Sequence, residues 1–343
     1  MKPLPTSPVA DPAPSEPGPD GGSAELLRIE HLSIELPGPA GPVRVVDDVS
    51  FAVDAGRTTG LIGESGSGKT MTASAIIGLL PAGGTASGRI WWHGEDLVAM
   101  PEKARRRLRG HSIAMIFQDP QSALNPTQTI GRQVGEILRR GGMPASQVRR
   151  AVIDLLDRVG VPDPETRHAQ YPHQYSGGLR QRAMVATALA GSPQLILADE
   201  PTTALDVTVQ ARILGLLKRI REQEGMAMLL VSHDLRVMAH VADEVVVMYA
   251  GRVCEIGPSR EVFNRPAHPY TRALVVSVPA VRNKTAIADP LPGSPANPAE
   301  RPPGCPFHPR CPKARDRCRT EVPQLRHLAT GRQVACHFPE EAT

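Results

Sequence analysis

Aromatic residues make up only 3% of the 343 positions, so single-stranded nucleic acid would find few stacking platforms on this chain. A block of basic charge is missing too. Lys and Arg number 39 against 35 Asp and Glu, giving a formal net charge of +4 spread along the chain, which argues against dedicated nucleic-acid binding. The densest basic group, Arg105, Arg106, Arg107 and Arg109, reads as a solvated helix face. No uninterrupted apolar run reaches the roughly 18 residues of a membrane-spanning helix, so any membrane association is expected to come through a partner. The N-terminus has no basic region followed by an apolar stretch, which predicts no signal peptide and a cytosolic location. Five cysteines in such a chain do not make a disulfide scaffold, and four of them fall within the last forty residues.

What remains is enough for one α/β core and an appendage. Seven of the first twenty residues are proline, and residues 1–24 are expected to form a disordered tail with little apolar surface to bury. Leu26 to Leu36 alternates apolar and polar residues, and Val43 to Val53 does so loosely, predicting two strands of an antiparallel edge sheet. Arg57 to Ile62 reads as a short buried strand, Thr70 to Leu80 as a helix, and Ile113 to Phe117 as another strand. From Asp119 to about Ser176 the period turns helical, in Ile130 to Leu138 and again in Val148 to Val159. Leu195 to Ala198 and Met228 to Val231 return to short β-rich runs, each ending at a polar residue where the ligand edge of a parallel sheet would lie. Past Gly257 the apolar period fades, and ten prolines between Pro279 and Pro312 mark an irregular extension.

Three motifs carry chemistry. Between the strand and helix that the motif requires stand Gly63, Glu64, Ser65, Gly66, Ser67, Gly68, Lys69 and Thr70, a loop whose backbone N–H groups can converge on phosphates. Lys69 adds a point charge, and Thr70 offers a hydroxyl to Mg²⁺. The apolar run Leu195 to Ala198 ends in Asp199 and Glu200, neighbours that point in different directions, so one can face a metal and the other a water. Ser176, Gly177 and Gly178 open a helix containing Gln181, and a serine-capped helix start is an anion site.

Together these motifs resemble the ATP-binding-cassette (ABC) family. The resemblance implies an α/β P-loop NTPase cassette over residues 25–258, with a RecA-like core, an antiparallel β edge sheet and a helical subdomain at about 119–189. It implies that Asp199 belongs to the Mg²⁺ shell with Thr70 and Gln118, and that Glu200 polarises the water attacking the γ-phosphate. Gln118 and His233 would contact the γ-phosphate or sense it. Ser176, Gly177, Gly178 and Gln181 would reach ATP held by a second cassette, and Asp206, in Ala204-Leu205-Asp206, would couple the two sites. The chain departs from the family in one respect. An aromatic residue usually stands about 25 positions before the lysine to stack on adenine, but Leu36 to Val46 has none, and Val43 or Arg44 falls nearest that place.

The extension, residues 259–343, contains His268-Pro269-Tyr270-Thr271-Arg272-Ala273-Leu274 and then Arg301-Pro302-Pro303-Gly304-Cys305-Pro306-Phe307-His308-Pro309-Arg310-Cys311. Both segments resemble the C-terminal extension of the dipeptide and oligopeptide importer ATPases, a group that includes nickel importers. Cys305, Cys311, Cys318 and Cys336 are separated by five, six and seventeen residues, and four soft ligands can hold zinc or an iron–sulfur cluster. The resemblance favours a [4Fe–4S] cluster of structural role, with Zn²⁺ as the alternative. His308, His327 and His337 read as exposed histidines, and Cys254 as a small core residue.

The expected protein is the ATP-hydrolysing subunit of a peptide importer, using ATP and Mg²⁺. Its expected partners are a second cassette, paralogous or identical, two membrane permease subunits and, indirectly, an extracytoplasmic solute-binding protein. Its expected place is the cytoplasmic face of the cell membrane, held through the permease. A nickel importer ATPase is the alternative within the family. Outside it stand a non-transport cassette ATPase, which predicts coiled coils or a second cassette in the chain, and a non-hydrolysing subunit, which predicts loss of Glu200, His233 or Ser176.

Overall fold

The computed structural model describes residues 25–202, 207–277, 293–294, 296–329 and 331–340; the proline-rich segment 1–24 and Asp206 lie outside them. The chain opens with β1 (Glu25–Leu36) and β2 (Val43–Asp54), which pair antiparallel. Strict alternation would turn half of β1 to solvent. A register shift between Ile29 and Leu32, with His31 at φ 51°, keeps Leu27, Ile29, Leu32 and Ile34 all on the buried face. β3 (Thr58–Ile62) leads through the glycine loop into α1 (Lys69–Ile77), and β4 (Thr85–Trp92) and β5 (Glu95–Asp96) complete a sheet of order β2-β1-β4-β5.

The helix α2 (Glu102–Leu108) carries the arginine run. That run is more than a solvated face. Arg109, just beyond α2, donates to the carbonyls of Ile77 and Gly78 at 2.8 Å each, satisfying acceptors that the end of α1 leaves open. Strand β6 (Ile113–Ile116) is followed by α3 (Pro120–Ala123), α4 (Ile130–Arg140), α5 (Ala145–Arg158), α6 (Pro164–Arg167) and α7 (Gly177–Leu189). Ile130, Val134 and Leu138 of α4 share a core with Val148, Val152 and Leu156 of α5, the helical period read from the sequence.

The chain then alternates strand and helix: β7 (Leu195–Asp199), α8 (Val207–Glu224), β8 (Ala227–Ser232), α9 (Leu235–Val241), β9 (Glu244–Tyr249) and β10 (Arg252–Pro258). The neighbours β9-β3-β8-β7-β6 are all parallel. Their carboxyl ends therefore share one edge, and Gly63, Gln118, Glu200 and His233 all follow directly or closely from these ends. Helix α1 buries Ala73, Ala75, Ile76 and Ile77 in the core it shares with the edge sheet.

The extension is more ordered than its composition predicts. It forms α10 (Ser259–Asn264), α11 (Pro269–Val276), α12 (Asp316–Thr320), β11 (Arg326–His327) and β12 (Gln333–Val334). Strand β12 pairs with β10, Glu255 opposite Val334, so the extension adds the last two strands of an eight-stranded sheet, β11-β12-β10-β9-β3-β8-β7-β6. A buried ion pair reinforces the join. Glu255, fully buried, accepts backbone N–H groups of Ala267 and His268 at 2.9 Å each and meets Arg332 at 3.3 Å.

Candidate functional site: a phosphate loop facing two carboxylates

Gly63 must be glycine because a Cβ there would lie 2.2 Å from the Met248 carbonyl oxygen, and Gly66 because its φ is 77°. These two positions let the loop wrap ahead of α1. Lys69, 5% exposed, donates through Nζ to the carbonyls of Gly63 and Glu64 at 2.8 Å each, and Ser67 Oγ lies 3.3 Å away. Burial holds the ammonium below its usual pKa, against the opposing pull of Glu200, Asp199 and Glu64. The lysine is thus folded back onto its own loop.

Thr70 donates its hydroxyl to Asp199 at 3.1 Å. Burial raises the Asp199 carboxyl, with the Thr70 bond and Lys69 pulling the other way and Glu200 adding to the rise. A hydroxyl in the first turn of α1 and a carboxylate at the end of β7, beside a phosphate loop, suit a divalent cation, and Thr70 and Asp199 are the residues that would hold Mg²⁺.

Glu200 occupies a left-handed backbone conformation, φ 42°, and its N–H donates to Val231 on β8 at 3.0 Å. Its carboxylate is held from two sides: Gln118 Nε2 donates to Oε2 at 3.1 Å, and His233 Nδ1 lies 3.0 Å from Oε1. Gln118, Glu200 and His233 line one open cleft of about 680 Å³ with Ser65, Gly66, Ser67, Gly68, Lys69 and Thr70. Residues spread over more than 160 positions therefore face one space.

Ser176, Gly177 and Gly178 stand elsewhere. Ser176 caps α7 by accepting the Leu179 N–H, and both Ser176 and Gly177 are exposed, outside the cleft. Gln181 does not share that face. It is 2% exposed and donates to the Pro201 carbonyl, tying α7 to the turn after Glu200.

Neither Val43 nor Arg44 lines the cleft. Arg44 turns away to Glu35 and Asp47, and the wall is formed by Val45 and by Pro298 of the extension. Sequence reasoning missed Pro298, since nothing local announces that a residue 229 positions after Lys69 folds back onto the loop. Arg301 fixes it there, donating to the carbonyls of Ala250 and Arg44 and to Asp47, at 2.9, 3.2 and 2.8 Å.

Cys305, Cys311, Cys318 and Cys336 line one small cavity together with His268, Phe307, His308 and His337. The four thiols thus match a soft metal in kind. The expected metal-binding extension is nonetheless not supported by their spacing: among the described residues no group of three or more His, Cys, Asp or Glu side chains is gathered as a metal site. Burial raises the thiols of Cys311 and Cys336 and pushes Cys305 up to about 12, so they pack as neutral groups. Cys254 is buried in the core, as expected. His308 and His337 are engaged with the carbonyls of Cys305 and Glu321 rather than free in solvent.

A strand, glycine loop and helix, with paired acids at the next strand end and a separate serine-capped helix, define an ABC-type ATPase cassette. The ABC transporter family model matches residues 46–203, and the model for the oligopeptide/dipeptide transporter C-terminal region matches residues 254–318. The chain is 46% identical over 318 residues to the dipeptide transport ATP-binding protein DppD of Escherichia coli (strain K12), covering 92% of this chain and 97% of that protein. It is 43% identical over 317 residues to the oligopeptide transport ATP-binding protein OppD of Salmonella typhimurium, covering 92% and 94%. Among solved structures it resembles the dimeric post-hydrolysis state of the ATP-binding cassette MJ0796 bound to ADP and Pi, with TM-score 0.62 and 25% identity over 68% of this chain and 99% of that one. The chain belongs to the ABC transporter ATP-binding proteins that carry the oligopeptide/dipeptide C-terminal region.

Proposed function

We propose that the chain is the ATP-hydrolysing subunit of a di- or oligopeptide importer. The observation that carries the ATPase reading is Glu200 held between Gln118 and His233, opposite Lys69 and Thr70, in one cleft. Kinship with DppD and OppD across nearly their whole length supports the peptide class of cargo.

In this reading the loop from Gly63 to Thr70 binds the triphosphate, and Lys69 exchanges its loop carbonyls for phosphate oxygens. Mg²⁺, held by Thr70 and Asp199 with Gln118 nearby, supplies charge neutralisation when bound. Glu200 orients the attacking water and accepts its proton, and His233 and Gln118 keep that carboxylate aimed. Ser176 and Gly177, exposed, and the half-buried Gly178, all outside their own cleft, serve the ATP of a second cassette, with Asp206 coupling the two sites; Gln181 acts behind them by bracing the turn at Pro201. In this reading the subunit works from the cytoplasmic face through two permease subunits; among the described residues no helix is long and apolar enough to cross a membrane. An extracytoplasmic binding protein delivers the cargo. The four clustered cysteines, facing one cavity, support a soft-metal site as the finer reading, [4Fe–4S] or Zn²⁺.

Uptake into vesicles holding the permease and this subunit tests the proposal. ATP-dependent entry of labelled di- or oligopeptide, lost with Glu200→Gln, is the expected result. Entry of Ni²⁺ without peptide would move the cargo to nickel, and no ATP-dependent uptake of either would overturn the transport reading.

A further inference from the structure

The few aromatic residues of the chain are not spread evenly. Tyr249 on β9, Tyr270 on α11 and Phe307 of the extension form one buried cluster, with ring centroids 4.6 Å apart for the two tyrosines and 5.3 Å from each tyrosine to Phe307. This cluster lies between the phosphate loop and the cysteine cavity, and Arg310 rests on it. The guanidinium carbon is 5.8 Å from the Tyr249 ring centroid and 6.0 Å from that of Phe307. From there Arg310 reaches the loop: Nη1 and Nη2 donate to the two carboxylate oxygens of Glu64 at 2.7 and 3.1 Å. The bidentate fork is the strong form of a charge-assisted pair, and only 6% of the Arg310 side chain and 23% of that of Glu64 are exposed.

Every polar group of Glu64 is thereby engaged. Its carboxylate meets Arg310, its N–H donates to the Tyr270 hydroxyl at 2.9 Å, and its carbonyl accepts from Lys69 at 2.8 Å. The chain of contacts runs from the extension through one loop residue to the phosphate-binding lysine. It also solves an electrostatic problem, because Glu64 is a half-buried anion in a loop built for a polyanion. Unneutralised, it would oppose the ligand.

We infer that Arg310 is a positioning residue of the ATPase: by neutralising and orienting Glu64 it sets the affinity of the phosphate loop for nucleotide. The extension is then a working part of the nucleotide site. Arg310 immediately precedes Cys311, so whatever orders the cysteine cavity also orders this arm.

The inference rests on ATP binding at this loop, and Lys69→Ala tests that separately. On the full chain, ATP dissociation constants would be measured by calorimetry for Arg310→Ala, Arg310→Lys, Glu64→Gln and the double variant Arg310→Ala/Glu64→Gln, with thermal melts to check folding. Arg310→Ala should weaken ATP binding about tenfold, equivalent to roughly 1.4 kcal/mol. Arg310→Lys, which keeps the charge but loses the fork, should fall between. Adding Glu64→Gln to Arg310→Ala should recover most of the loss, which a merely structural arginine would not allow. A folded Arg310→Ala protein with wild-type affinity, or a loss that Glu64→Gln leaves untouched, would overturn the inference. If Arg310→Ala does not fold, wild-type affinity in Arg310→Lys overturns it equally. Wild-type affinity in Lys69→Ala would instead overturn the ATP site.

Discussion

His233 stands with Nδ1 3.0 Å from Oε1 of Glu200, joining the end of β8 to the end of β7 across their parallel pairing. Gln118 closes the other side of the same carboxylate at 3.1 Å. Glu200 takes a left-handed φ of 42°, an uncommon conformation that directs its side chain to this spot while Asp199 turns to Thr70. Glu200→Gln keeps the shape and the contact to Gln118 but cannot accept a proton. Turnover should fall by about 100-fold or more, with ATP still bound; phosphate release and equilibrium binding on the same preparation check both halves.

Among the described residues no carboxylate lies within hydrogen-bonding distance of Lys69, which spends its donors on Gly63, Glu64 and Ser67. Lys69→Ala removes a buried ammonium whose other contacts are to its own loop, so the fold should survive while the phosphate charge goes unanswered. ATP affinity should drop at least about tenfold, of the order of one charge-assisted contact. A melting temperature close to wild type would separate this from unfolding.

Base selectivity should be loose. The wall beside the loop is Val45 and Pro298, which offer apolar contact but no aromatic plane, and neither side chain can hydrogen-bond a purine edge. GTP and ITP should be hydrolysed at rates within about threefold of ATP, since roughly 0.65 kcal/mol is all that shape alone would distinguish here. A strong preference for ATP in a competition assay would contradict this and point to a base contact from another source.

Much of this site was legible because its motifs are local. The loop Gly63 to Thr70 and the acids at Asp199 and Glu200 each sit on one strand end, and the short apolar runs before them announce that strand. The edge strands β1 and β2 were readable for the same reason, although the bulge at His31 hides in a pattern that still looks alternating. Helix α8 was legible too, through Ile213, Leu216, Leu217 and Ile220, yet escaped the sequence reading. What the sequence does not disclose is pairing across distance. Two-residue strands such as β11 and β12 have no periodicity to detect, and they form because β10 offers an open edge. Gln181 looked like a ligand because it follows Ser176 on one helix; five residues on, it faces inward to Pro201.

The extension should loosen in mild acid. His268 is fully buried at the start of α11, and its Nδ1 accepts the Tyr270 N–H at 3.0 Å, which only the neutral ring can do. Burial lowers its pKa to about 4, with a hydrogen bond to the Ala335 backbone opposing the shift. The unfolded chain, with an ordinary histidine pKa near 6.5, then binds more protons than the folded one between these values. Stability from this residue is therefore complete above about pH 6.5 and is lost as pH falls toward 4, by roughly 3 kcal/mol at most. Thermal melts across this range should be steeper for wild type than for His268→Asn, whose side chain can also cap a helix without titrating.

The cysteine cavity gives the last prediction. Cys305, Cys311, Cys318 and Cys336 line a space that neighbouring Phe307 and Phe338 help to shield from water, and burial raises the thiols of Cys305, Cys311 and Cys336, so metal binding there would have to displace their protons. The proposed cluster requires that protein purified without oxygen be brown, with iron and sulfide in the ratio of a [4Fe–4S] cluster, and that Cys311→Ser lose the colour. One equivalent of zinc in colourless protein would make the site a plain clip. Wild-type protein with neither metal, and a Cys311→Ser variant that melts at the same temperature, would leave these cysteines as ordinary packing and remove the metal from the account of this subunit.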